Sequence, residues 1–425
     1  LEFLKDKILR QNFSYLFILQ IANYIIPLFL FPYLGRILGA ENFGKIMFAQ
    51  AFVAYFVLLT DFGFNVSSTK NVSDSFNKKD KISRIFWNTL FAKMLLLGIS
   101  CLIFIIIIFS FSKFRSENIL YLISFVSVLS SVFLPLWLFQ GLEKMGALVL
   151  VNTIPKIVMC FVTVLIVKTS DDYVLALLIQ VMATMASSLL SLIIVFKLKL
   201  VSFAKPTLKE ALKQIHDGWH IFATSLSTNL YTTTNTVILG LIIGNGAVGI
   251  YSAGDKIVRA VIGLLSSTTQ VVFPRVNAYY LESKLKSFSF SIQMIRVMSV
   301  ICVVIGFLLY FFAGEIIVLV FKNGDFNKSV DVLKYSCLLP LFSIINGLIA
   351  VNIFITFGFK SQLLKIVFFG CLFSLVCITP MVYYLEEIGA VLCAVLTEVL
   401  IFFLLLKFMK TEVFKNKLSG ENNLF

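Results

Sequence analysis

Apolar runs of about 20 residues recur along the whole chain, and this recurrence confines it to a membrane. Wound as a helix, such a run crosses a hydrocarbon core of roughly 30 Å, where backbone groups must be satisfied within the segment. Reading the runs against their polar flanks predicts twelve spans, at 13–34, 46–64, 86–111, 119–139, 147–167, 173–196, 220–243, 251–273, 297–320, 330–353, 366–384 and 388–406. The first run is too long for the apolar core of a cleavable signal and is read as a span. Composition agrees, with 59% hydrophobic and 14% charged residues in 425, against roughly 45–50% and about 25% in soluble domains. A water-soluble globular protein is excluded.

The formal charge of +14 has to be read by side. Of the 36 Lys and Arg residues, 24 lie on the side of the termini and 7 in the opposite loops. By the positive-inside rule both termini and the long loops of this multi-pass chain are expected to be cytoplasmic. The surplus charge is therefore topogenic, so nucleic acid is not expected as a partner. The other five cations, Lys93, Lys156, Lys256, Arg259 and Lys334, fall inside spans.

Two halves are offset by 205 residues. Gly39-Ala-Glu-Asn-Phe-Gly44 follows the first span and Gly244-Asn-Gly-Ala-Val-Gly249 the seventh, while Leu134-Pro135-Leu136 matches Leu339-Pro340-Leu341. Six spans per half make a parallel repeat about an axis along the membrane normal, with the substrate path between the lobes. The expected architecture is all-α: a six-helix lobe over 1–200, a cytoplasmic amphipathic connector over 201–219, a second lobe over 220–410 and a cytoplasmic tail over 411–425. In the connector, Thr207 and Glu210 read as a capping box, and Leu208, Ala211, Leu212, Ile215 and Trp219 as the stripe of an interfacial helix.

Charges in a bilayer usually face the protein interior or a wet cavity. Lys334 and Glu315 sit near outer span ends, where snorkelling accounts for them. Asp61 is either an interfacial cap or functional, and Asp255 and Arg259, at i and i+4, either pair locally or bind ligand. Lys93 is two turns into span three, from which it could snorkel inward. Lys156, in mid-span directly after Pro155, follows a proline expected to free backbone groups. With Lys256 and Arg259 it gives both lobes cations, as a cavity for an anionic headgroup requires. On span seven Ser225, Thr228, Asn229, Thr232, Asn235 and Thr236 share one face, and span one carries Gln20, Asn23 and Pro27. These faces serve either helix packing or hydrogen bonding to sugar hydroxyls, the density on span seven favouring the second. Glu398, a lone acid in span twelve, either pairs with a buried cation or acts as a protonatable coupling site.

Catalytic constellations are absent from the sequence. His216 and His220 stand at a cytoplasmic boundary, and neither Cys/His metal spacing nor a phosphate-binding loop occurs. The seven cysteines lie within apolar runs, where buried thiols are the ordinary outcome. A transporter rather than an enzyme is expected, with no cofactor beyond a coupling proton or sodium ion.

Particular strings carry more. Asn23-Tyr24-Ile25-Ile26-Pro27, Pro32-Tyr33-Leu34-Gly35-Arg36-Ile37-Leu38-Gly39, Asn42-Phe43-Gly44, Asp61-Phe62-Gly63-Phe64 and Trp137-Leu138-Phe139-Gln140-Gly141-Leu142-Glu143 together resemble the Wzx-type O-antigen flippases, most strongly over residues 10–160. The resemblance implies the multidrug/oligosaccharidyl-lipid/polysaccharide exporter fold, with spans one and seven beside a cavity that opens alternately to either side. It implies as substrate an undecaprenyl-pyrophosphate-linked oligosaccharide moved from the inner to the outer leaflet of a bacterial cytoplasmic (inner) membrane. It also implies importance for Arg36 and Asp61, in binding or in folding. On this reading Lys156, Lys256, Arg259, Lys93 and Arg36 attract the pyrophosphate, while Gln20, Asn23, Ser225, Asn229, Thr232 and Asn235 admit the glycan. Glu398, Asp255 and Asp61 are the ion-coupling candidates. Membrane lipids and a polysaccharide polymerase with its assembly proteins are the expected partners of a monomeric chain. A flippase for the peptidoglycan lipid precursor, a cation-coupled multidrug exporter and an intramembrane glycan polymerase or ligase are the alternatives, the last disfavoured by outer loops of at most about a dozen residues.

Overall fold

The computed structural model describes residues 7–411 apart from Asn77 and Asn323. Most of the predicted tail lies outside the described residues. Within them the chain is helical throughout: α1 Lys7–Asp61, α2 Phe64–Ser73, α3 Lys79–Ser110, α4 Ser112–Ser116, α5 Asn118–Val132, α6 Leu136–Gly141, α7 Met145–Ile166, α8 Tyr173–Lys197, α9 Leu208–Ile242, α10 Asn245–Glu282, α11 Lys284–Phe311, α12 Ala313–Phe321, α13 Ser329–Tyr335, α14 Leu339–Ile349 and α15 Lys360–Phe408. Among the described residues nine helices are long and apolar enough to cross a membrane. This is a polytopic membrane protein.

Two of the longest helices are broken where the sequence alternates spans and loops. α1, with 55 residues, is interrupted at Gly39 (φ 73°, ψ 172°), a conformation open to glycine because it has no Cβ. α15 is interrupted at Glu386 (φ 50°, ψ −129°). The two Leu-Pro-Leu repeats also fall at comparable discontinuities. Pro135 stands just before α6, after the end of α5, and Pro340 opens α14 after a 3₁₀ turn over Ser336–Leu338.

By contacts the chain forms two compact units, one comprising 1–38 and 45–226, the other 39–44 and 227–425. In the first, α5 and α7 pack along α8. Its core joins Leu19 to Phe86, Trp137, Leu138, Phe139, Leu148 and Val195. In the second, Ile345, Ile349, Ile353 and Phe354 pack on Cys371, Ile401 and Leu405 of α15. A six-residue π-helical stretch, Ala350–Ile355, continues from α14. The lipid-facing habit is plain on α3, where Leu102, Ile106 and Phe109 are exposed while Ser100, Phe104 and Ile108 are buried. Without water to avoid, large apolar groups can face outward and small polar ones can line helix contacts.

The expected connector differs in form. Residues 201–207 have no regular structure, and from Leu208 the predicted interfacial helix is the first part of α9 rather than a separate element. The Thr207 hydroxyl accepts from the Glu210 amide at 3.4 Å, one half of the predicted capping box; the other half is replaced by Asn88. The stripe is divided, however. Ala211 is buried with Phe62, Phe64, Ala92 and Leu96, and Ile215 packs beside them, while Leu208, Leu212 and Trp219 remain exposed. Asn88 fixes the turn by accepting from the Thr207 amide at 2.9 Å and donating to Glu210. Tertiary hydrogen bonds thus decide a path that amphipathic pattern alone does not.

Candidate functional site: two intramembrane polar clusters

The first unit holds Lys156 on α7. Its Nζ donates to Asn23 Oδ1 on α1 at 2.7 Å and to Asn152 Oδ1, one turn back, at 2.6 Å. Pro155 contributes no amide hydrogen, so the Val151 carbonyl loses its helical donor beside the ammonium. Among the described residues no carboxylate pairs with Lys156; Asn23 and Asn152 are neutral amides. Such partners orient an ammonium without cancelling its charge, so an anionic ligand still finds it attractive. Gln20 lies one turn from Asn23 on α1 and is half-buried, like Lys156.

The second unit builds its cluster around an acid–base pair. Arg259 Nε donates to Asp255 Oδ2 at 2.7 Å, one turn apart on α10, and an Nη donates to the Thr232 carbonyl at 3.4 Å. The local pairing is therefore realised. Lys256 is half-buried beside the pair. Tyr251 donates to Asp255 Oδ1 at 3.4 Å. Asn235, fully buried on α9, donates to the Ala390 carbonyl at 3.3 Å, and its Oδ1 is buried without a partner.

Glu398, 8% exposed, receives the Asn346 amide on Oε2 at 2.7 Å, and the same amide reaches the Glu398 carbonyl at 2.9 Å. Tyr231 hydrogen-bonds the same carboxylate, which also lies within the field of Arg259. The acid therefore has neutral hydrogen-bond donors and a cation at longer range, but no direct ion pair among the described residues. Asn346, Tyr231, Tyr251 and Asn152 escape sequence reasoning because aromatic hydroxyls and single asparagines in apolar runs are ordinary. Asn346, the one amide side chain in the largely apolar α14, is the signal that this helix offered.

Asp61 and Lys93 form a third site, and its geometry is structural. Lys93 Nζ contacts Asp61 Oδ1 at 3.2 Å and donates to the Ser131 carbonyl at 3.3 Å, with 3% of its side chain exposed. The snorkelling path is not taken. Asn65 holds the other carboxylate oxygen at 3.0 Å. The Asp61-Phe-Gly-Phe64 string turns the chain from α1 into α2, with φ 41° at Phe62 and 78° at Gly63. A Cβ on Gly63 would lie 2.8 Å from that of Ile221, and one on Gly218 would lie 2.5 Å from the Phe62 carbonyl oxygen. Phe62 stacks on Phe222 at 4.2 Å. The motif thus docks α9 onto the first unit.

The Trp137 string serves packing too. Trp137, Leu138 and Phe139 are buried, and Gly141 faces Val72 so closely that a Cβ would fall 2.7 Å from its side chain. Arg36 is exposed near the end of the first arm of α1. Ser225 and Asn229 are half-buried on α9, and Thr232 donates to the Thr228 carbonyl at 2.9 Å.

Comparison with known proteins gives a consistent picture. Residues 9–280 match the family model described as polysaccharide biosynthesis protein. A curated relative named for O-antigen transport, from Escherichia coli (strain K12), is 31% identical over 405 residues, covering 95% of this chain and 97% of that protein. A second, so named, from Shigella dysenteriae, is 31% identical, with 95% and 100% covered. Among solved structures, an inward-facing multidrug resistance MATE family transporter of the MOP superfamily is similar in fold, with TM-score 0.72, 16% identity and 95% and 99% of the two chains covered. The lipid II flippase MurJ, in an inward closed conformation, gives TM-score 0.69 at 14% identity, with 92% and 87% covered.

Proposed function

The chain belongs to the polysaccharide biosynthesis protein family, and from that premise we propose that it flips an undecaprenyl-pyrophosphate-linked oligosaccharide from the inner to the outer leaflet of a bacterial cytoplasmic membrane. It is a membrane flippase or exporter of the kind that its relatives' names describe. The observation that carries the finer reading is Lys156, an intramembrane ammonium held by two amide oxygens and left unneutralised by any carboxylate among the described residues. Keeping a charge there is costly, roughly 2.5–3.5 kcal/mol on insertion scales, and a pyrophosphate that must leave water is a partner that offsets the cost.

In this account Lys156, Arg259 and Lys256 attract the pyrophosphate, and the polar faces of α1 and α9, including Gln20, Asn23, Ser225, Asn229, Thr232 and Asn235, admit the glycan. Lys93 and Asp61 hold the turn at the end of α1, and Arg36, exposed near the end of the first arm, remains a candidate for the pyrophosphate. Twelve crossings in two six-helix lobes fit the nine long helices once the breaks at Gly39 and Glu386 and the more polar α9 are counted. Access alternates between the two sides, with both termini cytoplasmic. Glu398 and Asp255 are the proposed coupling acids for a proton or sodium gradient, because Glu398 is buried with neutral donors that suit either protonation state.

A flippase for the peptidoglycan lipid precursor would need the same cations. Growth separates the two, since deletion should remove surface glycan while cells continue to divide. The decisive experiment is reconstitution. Liposomes containing the protein should move a labelled lipid-linked glycan between leaflets without changing its length. Lengthened product would mean a polymerase, and no movement with correctly folded protein would sink the proposal.

A further inference from the structure

α10 and α11 run on past the apolar stretches that predict spans eight and nine. Those stretches end at 273 and resume at 297, yet α10 continues to Glu282 and α11 starts at Lys284, so a helical hairpin extends beyond the lengths needed to cross the hydrocarbon. Ser283 makes the turn. Its amide donates to the Tyr279 carbonyl at 2.8 Å, and its hydroxyl accepts from the Lys286 amide at 3.4 Å. The hairpin lies wholly within the second unit. On the orientation proposed above it faces the cytoplasm.

Arg275 follows the end of its apolar stretch directly after Pro274 and is exposed, which places it at headgroup depth. Its Nε donates to the Tyr279 hydroxyl at 3.0 Å, and its guanidinium carbon lies 5.4 Å from the Tyr279 ring centre and 5.7 Å from that of Phe290. The two rings meet edge to face at 5.2 Å, joining α10 to α11. Lys286, in the first turn of α11, sets its ammonium 4.5 Å from the same Tyr279 ring centre. Two cations from two helices thus converge on one phenol, but they are held differently. Arg275 spends only Nε: among the described residues its terminal nitrogens have no hydrogen-bond partner and no carboxylate pairs with it. A guanidinium so oriented still offers its two-nitrogen fork. Lys286 is paired with Glu282 at 2.5 Å, with both side chains more than half exposed, and such a pair is weak and exchanges easily.

We infer that this hairpin is a loading site for the diphosphate of the lipid-linked glycan, used before the cargo reaches the intramembrane clusters. The inference rests on the transport reading given above. The site is separate from the Arg259 pair, which stands about four turns earlier on α10, roughly 24 Å away at the helical rise. Phosphates of the cargo and of the surrounding phospholipid share this depth, and their charge separates them. A phospholipid diester carries a single negative charge, which the Arg275 fork can meet. To engage Lys286 as well, a ligand must displace Glu282. A diphosphate diester brings two adjacent charges, enough to fill the fork and draw the ammonium off its carboxylate. Glu282 is thus a built-in competitor that discriminates against singly charged headgroups. The amides that open α11, at Lys284 and Leu285, add donors at the positive end of a 28-residue helix.

The test uses the full chain in phosphatidylcholine nanodiscs, its native cysteines replaced and Leu281→Cys, an exposed position in the hairpin, carrying an uncharged environment-sensitive fluorophore. The signal then reports the hairpin rather than the clusters within the membrane. Farnesyl-diphospho-N-acetylglucosamine should change it saturably, and the single-phosphate counterpart should bind about tenfold more weakly. Glu282→Gln should tighten binding of the single-phosphate probe about threefold and narrow that gap, a gain that misfolding cannot produce. Arg275→Gln should weaken diphosphate binding about tenfold, and Arg275→Lys should recover only part of the loss. Equal affinity for the two probes, or unchanged affinity in Arg275→Gln, would overturn the inference. Displacement of the diphosphate probe by phosphatidylglycerol in the nanodisc would do so too, by making the site a phospholipid one. In liposomes Arg275→Gln should raise the cargo level for half-maximal translocation about tenfold and leave the maximal rate nearly unchanged; a loss confined to the maximal rate would contradict a loading role. Failure of the unmodified protein to move lipid-linked glycan would instead count against the transport reading, whatever the hairpin binds.

Discussion

Lys156 and Arg259 are both intramembrane cations, yet their surroundings differ in the property that matters for ligand binding. Lys156 is held by the oxygens of Asn23 and Asn152, whereas Arg259 is held by the carboxylate of Asp255 at 2.7 Å. An amide fixes position and leaves the charge; a carboxylate fixes position and largely cancels it. Lys156 therefore keeps its charge, whereas Arg259 sits in a dipolar pair beside Lys256 and a further acid, Glu398, that feels its field. The division suits a transporter in which Lys156 is the main anchor of an anionic headgroup and the acids Asp255 and Glu398 respond to a coupling ion.

That contrast can be broken from either side. The largest effect is expected from Lys156→Gln, which removes the charge and keeps hydrogen-bonding capacity. A loss of about 3 kcal/mol in headgroup interaction corresponds to roughly a hundredfold in transport. Asn152→Asp converts the first cluster into the second type by placing a carboxylate at the position now 2.6 Å from Nζ. It should cost about tenfold in surface glycan assembly despite leaving the lysine in place, and normal assembly would contradict the reading of an unneutralised charge. Glu398→Gln should abolish the response of translocation to an imposed ion gradient while slower equilibrating movement continues; a preserved response would remove Glu398 as the coupling acid. The smallest effect on transport per correctly folded molecule is expected at the third site. Asp61→Asn leaves Lys93 buried and unpaired, which should destabilise the protein by about 3 kcal/mol and lower its membrane level. Adding Lys93→Met should restore that level, measured by thermal unfolding in detergent, with per-molecule transport nearly constant throughout.

The all-helical, polytopic membrane character is legible in the sequence because lipid forces long apolar runs. The break at Gly39 falls in the loop read between the first two spans, whereas those near Pro135 and Pro340 fall inside spans read as continuous, although proline marks where a helix cannot continue unaltered. Less was readable where tertiary contacts decide. The connector joined α9 because Asn88, Phe62 and Gly63 hold its first turns to the first unit, and no periodicity encodes those partners. For the polar clusters, rarity singled out Lys156, Arg259 and Glu398. Which partner each had could not be read, because Asn23 and Asn152 lie 133 and 4 residues from Lys156. Lys93 illustrates the same point. Its charge stood out in span three, but only the fold brings Asp61, 32 residues away, into contact with it.

The central claim is that an unneutralised ammonium at Lys156 engages the pyrophosphate of a lipid-linked glycan during flipping. The most direct measurement compares wild-type and Lys156→Gln proteins, reconstituted at equal orientation and density, in movement of a labelled undecaprenyl-pyrophosphate-linked oligosaccharide. The account predicts rapid movement by the wild type and roughly hundredfold slower movement by the variant. Equal rates for the two proteins would contradict it.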